Sequence, residues 1–163
     1  MMIALLRNAN FVFVDESGLN RHYRREMARA KRGTKVCGKI SGRKLSKTNV
    51  IAGLCNNKHV AVCCYDHSTT AAFFEEWFEW ELLSVVPERS IIIMDNAAFH
   101  RKNKLYEISA RHGFFVIFLP PYSPEFNPIE KSWANLKRWL KDNRLRFPTI
   151  DFAVEWFFTE CCY

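Results

Sequence analysis

Residues 90–96 read Ser90-Ile91-Ile92-Ile93-Met94-Asp95-Asn96, four large aliphatic residues in a row, stopped by a carboxylate and an amide. A short run that is apolar on both faces suits a strand at the centre of a sheet with helices on either side. The flanks agree. Upstream, residues 69–86 (TTAAFFEEWFEWELLSVV) are long enough for a helix, with Phe73, Trp77, Trp80 and Leu83 or Phe74, Phe78 and Leu82 spaced to face a core, and Pro87 ends it. Downstream, a helix is predicted from about Lys102 to His112, with Gly113 as its stop, followed by a strand from Phe114 to Leu119 that Pro120-Pro121 closes.

Further out, residues 50–55 and 59–65 form two strand-like runs joined by Asn56-Asn57-Lys58, a tight-turn signal. Phe11-Val-Phe-Val14 predicts a buried first strand ended by a turn over Asp15-Glu-Ser-Gly18. A helix should run from Pro128 to about Arg144, and Pro148 separates it from a last helical stretch over 149–162. The order strand, hairpin, helix, strand, helix, strand, helix, helix implies an α/β fold built on a mixed five-stranded sheet flanked by helices.

The 163 residues suffice for one domain, 1–163, and no second domain is needed. Apolar residues make up 48% and charged residues 25%, with no low-complexity tract, which points to a globular chain rather than a disordered one. No segment approaches the ~20 apolar residues of a membrane span, so a soluble, intracellular protein with no membrane partner is expected. Six cysteines, at 37, 55, 63, 64, 161 and 162, contain no C-x-x-C pair. The metal-like group His59, Cys63, Cys64, His67 is disfavoured as a zinc site, because neighbours on a strand point to opposite faces.

Charge is unevenly spread. Between Gly18 and Thr48 stand eleven Lys and Arg against one acid, Glu26, a local balance of +10; the whole chain is +7, so the remainder sums to −3. A basic insertion at about 18–48 on a slightly acidic body suggests a surface for a polyanion, the alternatives being a solvated loop or a targeting patch.

Asp15 ends the first predicted strand, Asp95 the central one, and Glu130 opens the helix after the fifth, the positions where α/β sheets gather functional groups. Each also has a local explanation. Asp15 and Asp95 can initiate turns, and Glu130, with Asn127 as cap and Pro128 in the first helical position, can act as a capping-box carboxylate. Helical phase puts Ile129, Trp133, Leu136 and Leu140 on the core stripe. Glu130 then lies about 100° around the helix, sharing its face with Ala134, Lys137 and Lys141. Taken together, the three carboxylates suit phosphodiester cleavage assisted by Mg²⁺, which takes oxygen ligands and, as a pair of ions, can activate the attacking oxygen and stabilise the leaving one. Asp66, after the third strand, is a rival carboxylate.

The strings FVDESG, IIIMDNAAFH and LPPYSPEFNPIEKSW, with thirty-four residues between Asp95 and Glu130, resemble the catalytic domain of DDE transposases of the mariner superfamily, in particular the bacterial insertion-sequence branch. The similarity runs from about Asn10 to Arg146. The resemblance implies a ribonuclease-H-like fold in which Asp15, Asp95 and Glu130 are catalytic and hold two Mg²⁺ ions, with Mn²⁺ as a substitute. Such a domain would cleave DNA at transposon ends and join the freed 3′-hydroxyl to target DNA. It also implies supporting roles near the site for Asn96 and His100, although His100 can equally be read as a polar residue at a helix start. DNA contacts are expected from Arg21, Arg24, Arg25, Arg29, Lys31, Arg32, Lys35, Lys137 and Lys141. The expected partners are double-stranded DNA and a second copy of the chain, without an organic cofactor. The expected location is the bacterial cytoplasm at the nucleoid, or the nucleus in a eukaryote. The family's N-terminal helix-turn-helix region is expected to be absent, which leaves a catalytically inactive or truncated DNA-binding or assembly module as the alternative reading. A ribonuclease acting on RNA–DNA hybrids would share fold and metals but leaves the PPYSPEFNPIE string unexplained.

Overall fold

A computed structural model of the chain describes residues 10–19, 48–121 and 123–160. The basic insertion, with Arg21, Arg24, Arg25, Arg29, Lys31, Arg32 and Lys35, lies outside the described residues. Five strands, β1 (Phe11–Leu19), β2 (Thr48–Cys55), β3 (Lys58–Tyr65), β4 (Ile91–Met94) and β5 (Phe115–Phe118), form one sheet in the order β3-β2-β1-β4-β5. The β1–β2 and β2–β3 pairs are antiparallel, while β1–β4 and β4–β5 are parallel. The expected mixed sheet is therefore present, with β4 interior to it.

The β2–β3 hairpin turns on Asn56 and Asn57, both in the left-handed region at φ 49° and 61°, with Cys55 paired to Lys58. Two central residues with positive φ are the signature of a type I′ turn, whose twist matches that of the flanking strands. One extra residue on β3, Ala61 at φ 51°, makes a bulge opposite the Ile51–Gly53 step, and its carbonyl accepts the Trp77 indole N–H at 2.9 Å. Beyond the bulge Cys63 packs on one side of the sheet and Cys64 on the other, as strand geometry requires.

Helices cover both faces. Helix α1 starts with Thr70 as N-cap, runs as α-helix over Ala71–Glu76, widens to π-helix over Trp77–Leu82 and closes with Leu83–Val85. Widening the helix lets both Leu82 and Leu83 reach the core while Trp80, a member of one of the two candidate stripes, is turned out to 66% exposure. Helix α2 (Lys102–Arg111) ends at Gly113, φ 77°, as its sequence predicts. These two helices and Val12, Val14, Ile92 and Met94 build one core. Helix α3 (Ile129–Asn143) and helix α4 (Ile150–Glu160) build the second against Leu19, Val50, Ala52 and Leu54. Among the described residues no helix is long and apolar enough to cross a membrane.

β1 departs from expectation. The segment Asp15-Glu-Ser-Gly18 is not a turn: β1 continues to Leu19, with Asp15 through Leu19 paired to Ala52 through Thr48. A ladder of backbone hydrogen bonds to β2 outweighs the turn preference of these residues, so Asp15 lies inside a strand rather than at its end.

Candidate active site

The register of the sheet places the first two carboxylates. Val14 on β1 pairs with Met94, the last residue of β4, so Asp15 and Asp95 follow at matching positions on neighbouring parallel strands. Strands in a sheet lie about 4.8 Å apart. Among the described residues, β1 beyond this point pairs with β2 alone, and β4 opens into the loop to α2. The carboxylates therefore stand where the sheet splits, which is where α/β folds leave room for ligands.

The third carboxylate comes from α3, whose start is held by Asn127. This side chain is 4% exposed; its Nδ2 donates to the Val14 carbonyl at 3.1 Å, and its Oδ1 accepts the Ile129 N–H at 3.4 Å. One residue thus ties the first turn of α3 to β1 immediately before Asp15. The helix begins at Ile129 with Pro128 in the cap position, one residue later than the sequence suggests, and Asn127 caps from just outside it. No hydrogen bond joins the Glu130 carboxylate to a cap N–H among the described residues. Instead Glu130 lines a cleft of about 470 Å³ together with Asp15, Asp95, Asn96, Leu119, Pro120, Pro121, Ser123 and Asn127.

The electrostatics of the cleft are uneven. Burial, then the charge of Glu130 and more weakly that of Asp95, push the Asp15 carboxyl up to about 7, although the Trp133 indole, donating to Asp15 Oδ2 at 2.9 Å, works the other way. Asp95 moves in the opposite direction. Its Oδ1 meets His100 Nε2 at 3.2 Å and accepts the Ala97 N–H at 3.2 Å, and the histidine contact is the main reason its carboxyl sits below the usual range. His100 is buried against Phe74, with ring centroids 4.2 Å apart, and so supports Asp95 from behind rather than lining the cleft. The next residue, Arg101, grips Glu75 of α1 through Nε and Nη2 at 2.7 and 2.5 Å, fixing the loop that carries His100. Glu16 points to the other side of the sheet, where burial first, then Asp15 and Asp95, raise its carboxyl to about 8.

The donor set suits hard divalent cations. Three carboxylates face one cleft whose described lining residues include no cysteine or histidine, His100 reaching Asp95 from behind, and oxygen-only donors select Mg²⁺- or Mn²⁺-like ions over zinc. Among the described residues no three Asp, Glu, His or Cys side chains are gathered closely enough to hold a metal ion by themselves. Magnesium does not require such a set, since it commonly binds through one or two carboxylates and retains water or substrate oxygens. The like charges that raise Asp15 are the charges a cation would offset.

Asp15, Asp95, Glu130 and Asn96 meet in the cleft, with His100 behind Asp95. Lys137 and Lys141 are exposed along α3 on the face that carries Glu130. Asp66 is exposed just past β3 and is not among the cleft residues. Two contributors carry only helix-building signals in the sequence, Asn127 as a cap and Trp133 as core, yet they bond to Val14 and Asp15. The one signal that marks Trp133 is chemical, because a buried indole N–H generally finds an acceptor.

A family model described as DDE superfamily endonuclease matches residues 10–151. An uncharacterized protein of Sinorhizobium fredii, y4pE/y4sA, is 36% identical over 74 residues, which are 45% of this chain and 48% of that protein. The Mos1 strand transfer complex superposes with a TM-score of 0.73 at 16% identity, covering 98% of this chain and 51% of that one. The Mos1 mariner paired end complex with Mn gives 0.72 at 18% identity, covering 96% and 51%. The Mos1 transposase catalytic domain with Raltegravir and Mg gives 0.64 at 17% identity, covering 96% and 75%. At these identities the likeness is one of fold, the ribonuclease-H-like mixed sheet. The chain spans about half the length of the curated relative and of the Mos1 chains in the two complexes.

Proposed function

This chain belongs to the DDE superfamily endonucleases, and from that premise we propose that it is the catalytic domain of a transposase, cutting DNA at transposon ends and joining the freed 3′-hydroxyl to target DNA. The observation that carries the reading is the meeting of Asp15 and Asp95, at matching positions on adjacent parallel strands, with Glu130 from α3 in one cleft. The structures this chain resembles in fold, the Mos1 strand transfer complex and the Mos1 paired end complex with Mn, support the reaction class and the divalent ion.

In the first step an oxygen of water attacks phosphorus and the bond to the 3′-oxygen breaks, leaving a 3′-hydroxyl. In the second, that hydroxyl attacks a phosphodiester of the target strand and displaces another 3′-oxygen. Asp15, Asp95 and Glu130 would hold two Mg²⁺ ions, or Mn²⁺ in their place; when bound, such ions lower the cost of the attacking oxyanion and of the leaving one. The chain's own part is positional. Asn127 and Trp133 set α3 and Asp15 against each other, and His100 keeps Asp95 ionised and oriented. The wall Leu119, Pro120, Pro121 shapes one side of the cleft with backbone of limited freedom. Lys137 and Lys141 lie about 10 and 17 Å along α3 from Glu130, at 1.5 Å per residue, and would meet phosphates flanking the cleavage point. The basic insertion supplies further sequence-independent contacts to double-stranded DNA. The working unit is a homodimer, located at the nucleoid of a bacterial host or in the nucleus of a eukaryotic one.

Glu130→Gln separates catalysis from capping, because glutamine can still cap a helix but brings no charge to a cation. The variant should melt within a few degrees of the parent and lose Mg²⁺- or Mn²⁺-dependent cleavage of supercoiled and end-bearing DNA. Full cleavage by the variant would overturn the assignment. A parent protein that binds DNA but never cleaves it would instead favour the assembly-module reading.

A further inference from the structure

We propose that Trp133 is a positioning residue for the site, holding the Asp15 carboxylate by one oxygen so that its remaining lone pairs are presented to a divalent cation in the cleft. The inference rests on the catalytic reading above and adds a residue to it. Trp133 Nε1 donates to Asp15 Oδ2 at 2.9 Å across 118 positions of sequence. The indole is 1% exposed, so water does not compete for this bond. Its orientation is set by packing: the ring lies in the core beneath α3 and α4 with Leu136, Ile129 and Phe157, and meets Phe158 edge-on at 6.1 Å between centroids. A donor whose own rotamer is locked in a core holds its acceptor in a defined direction, whereas a strand carboxylate without such a partner turns about χ1 and χ2.

The arrangement is economical in a second respect. Trp133 lies three residues after Glu130 on the same helix, so a single element supplies one carboxylate to the cleft and braces another. Asn127 sets the height of that helix through the Val14 carbonyl, one residue before Asp15. Two anchors six residues apart on α3 and its approach thereby engage adjacent residues of β1, and the separation of Asp15 from Glu130 follows from them. Partners of metal-bound carboxylates that do not themselves touch the ion commonly change its affinity 10- to 100-fold when removed.

The test measures Mn²⁺ binding to the full chain by electron paramagnetic resonance of the free ion, alongside thermal melting without metal. Trp133→Phe keeps an aromatic ring in the core and removes the donor. The expected result is a 10- to 100-fold weaker Mn²⁺ affinity with the fold retained. Should Phe leave the protein unfolded, the isosteric amino acid with sulfur in place of the indole N–H, inserted at position 133, gives the same comparison at constant shape. Unchanged Mn²⁺ affinity in a folded variant overturns the role of Trp133. Asp15→Asn distinguishes the two levels: if it also binds Mn²⁺ like the parent, the metal-site reading falls together with this one. If only the Asp15 variant loses binding, the site stands and the positioning role alone falls.

Discussion

Asp15 and Asp95, one strand apart, are pushed in opposite directions: burial and Glu130 hold the first at about 7, and His100 draws the second down. A carboxyl raised from 3.8 binds more protons folded than unfolded between those values, so its contribution to stability is present at low pH and is lost as pH rises through about 7. Glu16, raised to about 8, acts with the same sign. Metal-free protein should therefore melt at lower temperature at pH 8 than at pH 5, in scanning calorimetry with chelator present. Asp15→Asn should reduce that slope without abolishing it, since Glu16 remains. The same numbers predict the metal dependence, because a cation binds the ionised carboxylate: Mn²⁺ affinity should decline as pH falls below about 7.

The decisive element is α3. Its core stripe Ile129, Trp133, Leu136, Leu140 was legible as a helical period and is buried as that period requires. What the period does not carry is the height of the helix on the sheet, and there Asn127 acts. Removing its side chain in Asn127→Ala leaves the Val14 carbonyl without its donor in a buried setting and Ile129 N–H without its acceptor. The expected cost is about 2–3 kcal/mol, read as a lower urea midpoint at unchanged m-value. A cost near zero would mean that the core contacts of α3 alone hold it in place. The π-helical turn in α1 is a second case in which local pattern indicates a helix and leaves its phase open. A regular 3.6-residue period leaves two stripes open; the wider turn buries Phe74, Phe78 and Leu82 of one together with Trp77 and Leu83 of the other, and leaves Trp80 at the surface.

At the scale of the whole molecule, positive charge is concentrated in one stretch of the sequence. The acidic cleft gathers carboxylates, while eleven of the chain's 24 Lys and Arg lie between residues 18 and 48. Neutralising Arg24, Arg25, Lys31 and Arg32 together should flatten the plot of log DNA affinity against log salt by up to about four units of slope, each lost phosphate contact accounting for about 0.9. Fluorescence anisotropy on a duplex at several salt concentrations measures it, and an unchanged slope would place these side chains away from DNA.

Read alone, the sequence determined the kind and order of the elements, the interior place of 91–94 in the sheet (β1, not β4, is its middle strand), the hairpin at Asn56-Asn57 and the three acids that merit attention, because periodicity and turn chemistry are local properties written in adjacent residues. It misjudged β1, since a turn-prone Asp-Glu-Ser-Gly stretch becomes strand once β2 is there to pair with it. The tertiary structure alone decided that Asp15 and Asp95 share a register, that Glu130 faces the cleft rather than its own helix cap, and that Trp133 is bonded to Asp15. Those relations are distances between residues 35 to 118 positions apart. They follow from how strands pair and helices pack, which no local pattern encodes.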